Sequence, residues 1–307
     1  MLIARTLAPG EKIREPGVWD ITLERYHAQC TDGPSVSGSG LRTLFAKSPA
    51  HFWLDSSLNP NRAEREDREA LVLGQAAHAL LLGDEQFAAT FVTRPEKWRD
   101  WRTAEAREWR EYQKSLGKLV LTSQQLEQVE GMRDGLWRNP LVRAGILNGQ
   151  IERSLFWKDE KTGIWLKSRP DAIPTDGGDV ADLKTTTSVD RDALERTIGD
   201  YGYAAQGAFV GEAFRRVLGR EMESFSLVFV EKAPPYAARV VTLKPEDIAL
   251  GAKQNAVALR MLARCLKTQT WPGPGDLATD AEYVELKPWA RTQAENRIAA
   301  LETELAS

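Results

Sequence analysis

RPDAIPTDGGDVADLKTT, residues 169–186, sets Pro170-Asp171 ten residues ahead of Asp182-Leu183-Lys184. Side chains alternate along a strand, so Asp182 and Lys184 share one face while Leu183 takes the other. The turn signal PTDGGD folds the preceding strand back and brings Asp171 beside that face. Two carboxylates and an ammonium then converge. Like charges a few ångströms apart repel, and the hard oxygen ligands of a divalent cation such as Mg²⁺ resolve that repulsion directly. A lysine beside such an ion orients a water and offsets charge on a pentavalent phosphorus, chemistry suited to phosphodiester hydrolysis. The competing reading is an exposed same-face pair worth roughly 0.2–1 kcal/mol, with Asp171 only opening a turn. Val180, Ala181 and Leu183 weigh against it, because they make the strand internal, where an ordinary solvated ion pair has no place.

Working outward, period-two patterning in IERSLFWK (151–158), IWLKSRPDAI (164–173) and VADLKTTT (180–187) predicts three consecutive strands, a β-meander. Helical spacing returns in 190–198 and 203–218. ESFSLVFVEK and YAARVVTL form a second strand pair, and a long helix follows over 245–267. Upstream, LRTLFAKSPAHFWL reads as a short helix stopped at Ser48-Pro49. DREALVLGQAAHALLL (67–82) is apolar on nearly every face, a buried helix that carries His78. Another helix starts at Thr122, with Gln125 three residues on, and stops at Pro140. The tail from Trp271 is irregular up to a short helix near Thr292. The expectation is one α/β domain over 1–307, a central mixed sheet flanked by helices: a mainly helical part (1–150), a catalytic sheet core (151–270) and a C-terminal tail (271–307).

The 307 residues are 42% apolar and 28% charged with a net charge of -3, which excludes disordered and fibrous classes. That balance does not coat the surface with positive charge, but a basic lining can be confined to one channel. No stretch nears the ~18 apolar residues of a membrane span, and MLIARTLAPGEK meets charge before a signal core forms, so a cytoplasmic location is expected. Two cysteines cannot build a four-thiolate zinc or iron–sulfur centre.

The 169–186 string resembles the core of the PD-(D/E)XK nuclease superfamily. SGSGLRTLFAKSPAHFW, LVLGQAAHALLLG, ERSLFW with TGIWLKSRPD, and YGYAAQGAF resemble, in order over roughly residues 35 to 245, its exonuclease VIII (RecE-like) branch of phage and prophage recombination exonucleases. The resemblance implies a Mg²⁺-dependent 5′-to-3′ exonuclease on double-stranded DNA ends, with Mn²⁺ as a substitute metal. It implies Asp171, Asp182, the carbonyl of Leu183 and His78 around the metal, and Lys184 as the catalytic lysine. It also implies a single-strand annealing partner and makes a ring-like homo-oligomer an expectation. The rival readings are another nuclease of the superfamily, endonucleolytic or Cas4-like, and a non-catalytic DNA-binding protein on the same fold. The missing cysteine cluster counts against the iron–sulfur members, and retention of Asp171, Asp182 and Lys184 counts against a pure binder.

Several further features carry competing readings. His78 is a metal ligand or a hydrogen-bonded core histidine, with Gly74 one turn earlier leaving room for close approach. Gln206 and Tyr203 share a helix face where related nucleases carry Q-x-x-x-Y; Val210 stands at the tyrosine's position, so Tyr203 replaces it or Gln206 acts alone, or both are a polar helix face. Glu152 is an outer carboxylate of the site or a solvated edge residue. The segment 97–114, with Arg102 among its arginines and Trp98, Trp101 and Trp109 between them, is a DNA-contacting flap or an amphipathic helix whose glutamates pair with the arginines.

Overall fold

The computed structural model describes residues 3–63, 69–81, 84–151 and 153–306. It divides into two compact units, Met1–Trp271 and Pro272–Ser307. The smaller unit carries one helix, Pro288–Leu305, longer than the short helix expected near Thr292 because no breaker follows Pro288.

In the larger unit, a five-stranded mixed sheet runs in the order Arg5–Thr6, Gly17–Asp20, Ser154–Lys158, Trp165–Ser168, Ser35–Ser37. A three-stranded mixed sheet contains Asp179–Thr186, Ser224–Glu231 and Ala238–Thr242. Helices flank this central sheet structure, as the α/β reading expects.

The β-meander forms only in its first two members, Ser154–Lys158 and Trp165–Ser168, which pair antiparallel. The third, Asp179–Thr186, does not join them. Its path is diverted at Ala172–Ile173, which pairs antiparallel with Gln150–Ile151. It then runs parallel to Ser224–Glu231, with Asp182 opposite Leu227 and Lys184 opposite Phe229. A parallel pair needs a crossover, which the helices Arg191–Asp200 and Tyr203–Ala213 provide, and it needs cover on both faces. Val180, Phe225, Leu227 and Phe229 join a core with Phe209 and Val210 of the second crossover helix and with Ala258 and Leu262 of the long helix Pro245–Thr268. Ala181, Leu183, Val228 and Val230 join another core with Ala76 and Ala77 of helix Glu69–Leu81 and Met132 and Leu136 of helix Ser123–Arg138. The alternation expected of the strand is therefore present, with Leu183 facing away from Val180.

Two proline signals act as helix starts. Ser48 caps a second helix, Pro49–Asp55, with Pro49 in its first turn, where the missing N–H costs nothing. Pro140 likewise opens the short helix Pro140–Arg143. The Thr122/Gln125 capping box is formed in both directions.

The helix carrying Gln206 is fixed from behind. Asn255 Nδ2 donates to the Ala205 carbonyl at 2.8 Å, and a Cβ at Gly251 would come within 2.4 Å of the Ala204 carbonyl group. Gly251→Ala is expected to destabilise the fold by about 1–3 kcal/mol through overpacking against rigid backbone. Chemical denaturation checks this; a wild-type midpoint would show that the two helices are free to separate.

Candidate active site

Asp182 lies at mid-strand and is only 3% exposed. Its strand is an edge of the three-stranded sheet, so one row of backbone groups faces away from Ser224–Glu231. Asp171 takes that side: its Oδ2 accepts the Leu183 N–H at 2.6 Å. Pro170 favours an extended entry into this position, and the turn at 174–179 returns the chain to the strand. Asp171 Oδ1 lies 3.3 Å from His78 Nδ1. The Lys184 ammonium forms an ion pair with Asp182 Oδ2, an oxygen that is buried and accepts no hydrogen bond of good geometry. Gln206 Nε2 donates to Asp182 Oδ1 at 2.8 Å. Lys184 Nζ sits 5.2 Å from the centroid of the Tyr203 ring.

The structure thus brings together Asp171, Asp182, Lys184, His78, Gln206 and Tyr203. Gln206 and Tyr203 both face the site, one holding Asp182 and the other covering Lys184, while Val210 is buried in the core. Leu183 contributes its N–H to Asp171 and its side chain to the opposite core. Glu152 lies outside the described residues. Arg102 stands apart: its side chain is 91% exposed and pairs with Asp100 at 3.1 Å. A Cβ at Gly74 would meet nothing within 4 Å, so the close approach expected there is absent among the described residues.

The electrostatics are those of a charge cluster out of water. Burial would raise the Asp171 carboxyl, but His78, Lys184 and the Leu183 N–H hold it below the usual carboxylate range. Asp182 moves the other way: burial and then the Asp171 charge push it up, against the pull of Lys184. Burial would lower His78 and Lys184, yet the carboxylates raise both above their ordinary values. The two acids are therefore driven apart, the pattern expected when like charges share a site.

Sequence reasoning missed Arg42. It projects from helix Gly38–Ala46, and burial lowers its pKa while Asp182 and Tyr203 draw it back up, which places a cation beside the cluster. Gly202, at φ +63°, leaves passage for it; a Cβ there would meet Arg42 Cδ at 3.1 Å. The available signal was an arginine set between the buried Leu41 and Leu44.

Among the described residues, no group of three or more His, Cys, Asp or Glu side chains stands at metal-binding spacing. The donor chemistry nonetheless fits a hard divalent cation: the buried Asp182 carboxylate and the partly buried Asp171 carboxylate converge, and Asp182 Oδ2 lacks a hydrogen bond of good geometry. In the arrangement seen, His78 and Lys184 neutralise these oxygens.

The His78 ring, in metal-free protein, is expected to titrate above its ordinary value of 6.5 and to fall below it in Asp171→Asn, where burial and Lys184 outweigh the remaining attraction of Asp182. Imidazole NMR titration reads this directly among three histidines. Identical curves in the two proteins would remove the His78–Asp171 coupling.

Comparison with known proteins agrees with the fold. The fold resembles the crystal structure of a "putative exonuclease" from Eubacterium rectale, with a TM-score of 0.60 at 16% identity over 87% of this chain and 96% of that one. No curated protein matches in sequence. Residues 37–286 match the family model described as a PDDEXK-like domain of unknown function (DUF3799). That span holds every charged group of the cluster on its sheet and helices, and the chain belongs to this PDDEXK-like family.

Proposed function

We propose that the protein is a metal-dependent exodeoxyribonuclease that degrades double-stranded DNA from its 5′ ends and leaves 3′ single strands for homologous recombination. The observation that carries the nuclease reading is the convergence of Asp171 with the buried Asp182 and with Lys184 at the edge strand Asp179–Thr186. Polarity and recombination rest on the RecE-like resemblance, and the description of the structural relative as an exonuclease supports the first word of the reading.

Asp171, Asp182 and the Leu183 carbonyl would hold Mg²⁺, or Mn²⁺ in its place, with His78 beside Asp171. When bound, such a cation activates water and offsets charge on the phosphate oxygens. The chain's own groups do the rest. Gln206 fixes the Asp182 carboxylate by its hydrogen bond, and His78 fixes that of Asp171. Tyr203 packs on Lys184 and keeps its ammonium directed to the cluster. Lys184 orients the attacking water and stabilises charge developing on the phosphorus oxygens in a water-poor site, where such a group acts most strongly. In-line attack then expels the 3′-oxygen and leaves a 5′-phosphate.

By the same resemblance, the 3′ strand is passed to an annealing protein and a ring-like homo-oligomer encloses the DNA; the cytoplasmic setting rests on the sequence, which has neither a membrane-span pattern nor an apolar signal core at MLIARTLAPGEK. Among the described residues, no helix is long and apolar enough to cross a membrane.

Digestion of end-labelled linear duplexes with and without Mg²⁺ tests the proposal. Wild-type protein is expected to shorten strands progressively from their 5′ ends and to spare covalently closed circles. Asp182→Asn and Lys184→Ala should each lose at least ~10²-fold in rate while keeping a native circular dichroism spectrum. Full activity in either variant removes this site; efficient nicking of closed circles removes the exonuclease assignment.

A further inference from the structure

A cleft of about 1120 Å³ is lined in part by the helices that carry His78 and Arg42, and none of Asp171, Asp182, Lys184 or His78 lines it. It shares elements with them: Val72 is on the helix of His78, and Thr43 adjoins Arg42. Two stretches distant in sequence line it. One supplies the hydroxyls of Ser35, Ser37, Ser39 and Thr43; the other supplies Trp101, Arg110, Lys114 and Lys118. Among the described residues, five Lys or Arg side chains border the cleft against three Asp or Glu, in a chain whose net charge is -3.

Lys167 also lines the cleft and is only 4% exposed. Its ammonium donates to the carbonyls of Tyr26 and Ala28, at 2.6 and 3.1 Å, and meets no carboxylate within ion-pair distance among the described residues. An ammonium carries three donors, and a buried cation without a counter-charge is costly. Burial accordingly lowers its pKa to about 8. Trp101 adds a flat surface already joined to cations, with the Arg94 and Arg110 guanidinium carbons 5.4 and 5.1 Å from its ring centroid. Arg110 and Lys114 lie one turn apart on helix Ala104–Ser115 and so share a face.

We infer that this cleft binds a single DNA strand, its phosphates met by Arg110, Lys114 and Lys167 and a base stacked at Trp101. The inference rests on the nuclease reading for its ligand. A cleft just above the roughly 300–1,000 Å³ of small-molecule pockets has room for a few unpaired nucleotides. Hydroxyls, ammonium groups and an aromatic platform are the groups that hold a single strand without reading its sequence. The Arg/Trp segment thereby takes both of its sequence readings: Trp98 is buried and packs on Trp109, and Trp101, which stacks with Trp109 at 6.3 Å, lines the cleft with Arg110 and Lys114.

The test is fluorescence anisotropy of the full chain with a labelled oligothymidylate of roughly ten nucleotides, without divalent metal, over a salt series. Each lost phosphate contact should lower the slope of log affinity against log salt by about 0.7. Arg110→Gln/Lys114→Gln, both exposed positions, should therefore lower it by about 1.4, and Lys167→Met by about 0.7. Trp101→Ala should weaken binding at every salt concentration with the slope unchanged. Wild-type affinity and slope in the Arg110/Lys114 variant would overturn the inference, whatever Lys167→Met does to folding. So would a blunt duplex that competes as well as the single strand. Metal-dependent cleavage by wild-type protein is scored separately. Cleavage without a cleft effect leaves the nuclease reading and removes the cleft; a cleft effect without cleavage does the reverse.

Discussion

One buried and one partly buried carboxylate held together at the edge of one strand are the constraint on which the rest of the larger unit depends. Asp182 is buried at mid-strand, and Asp171 reaches the same strand by accepting the Leu183 N–H. Neither charge is tolerable alone, so each oxygen has a partner of its own: Gln206 and Lys184 for Asp182, Leu183 and His78 for Asp171. These partners come from three separate elements, and the packing of the unit exists in large part to deliver them to one place. The helix of His78 is held by the core on the Leu183 face, and the helix of Gln206 and Tyr203 by the core on the Val180 face. The sheet edge between the two cores is where the cluster sits.

The opposite movement of the two acids gives that arrangement its chemical use. Asp171 is stabilised as an anion, whereas burial and the Asp171 charge push the Asp182 carboxyl above the usual carboxylate range. A group poised in this way gains most from added positive charge, which is the electrostatic argument for a divalent cation and for Lys184 as a fixed cation beside it. Arg42 adds a further positive charge that interacts with Asp182.

Much of this was legible in the sequence because it is local. Period-two alternation placed Asp182 and Lys184 on one face, and the apolar 67–82 run marked a buried helix; both depend only on neighbouring residues. The capping box at Thr122 was equally local. Sheet partnership was not. Whether Asp179–Thr186 turns back on Trp165–Ser168 or crosses over to Ser224–Glu231 depends on Ala172–Ile173 finding Gln150–Ile151, a pairing of two-residue segments with no pattern to announce it. Ser48-Pro49 was ambiguous for another reason: proline ends one helix and opens the next with the same chemistry. Arg42 and Lys167 escaped notice because a lone cation in an apolar stretch shows its role only when its three-dimensional neighbours are known.

The central claim is that Asp171 and Asp182 form one divalent-cation site. Calorimetric titration of the metal-free protein with Mn²⁺ measures this apart from any DNA chemistry. The account predicts saturable binding that weakens at least ~10-fold in both Asp171→Asn and Asp182→Asn, since each removes a carboxylate from the same ion. Equal Mn²⁺ affinity in wild-type protein and the two variants would contradict it.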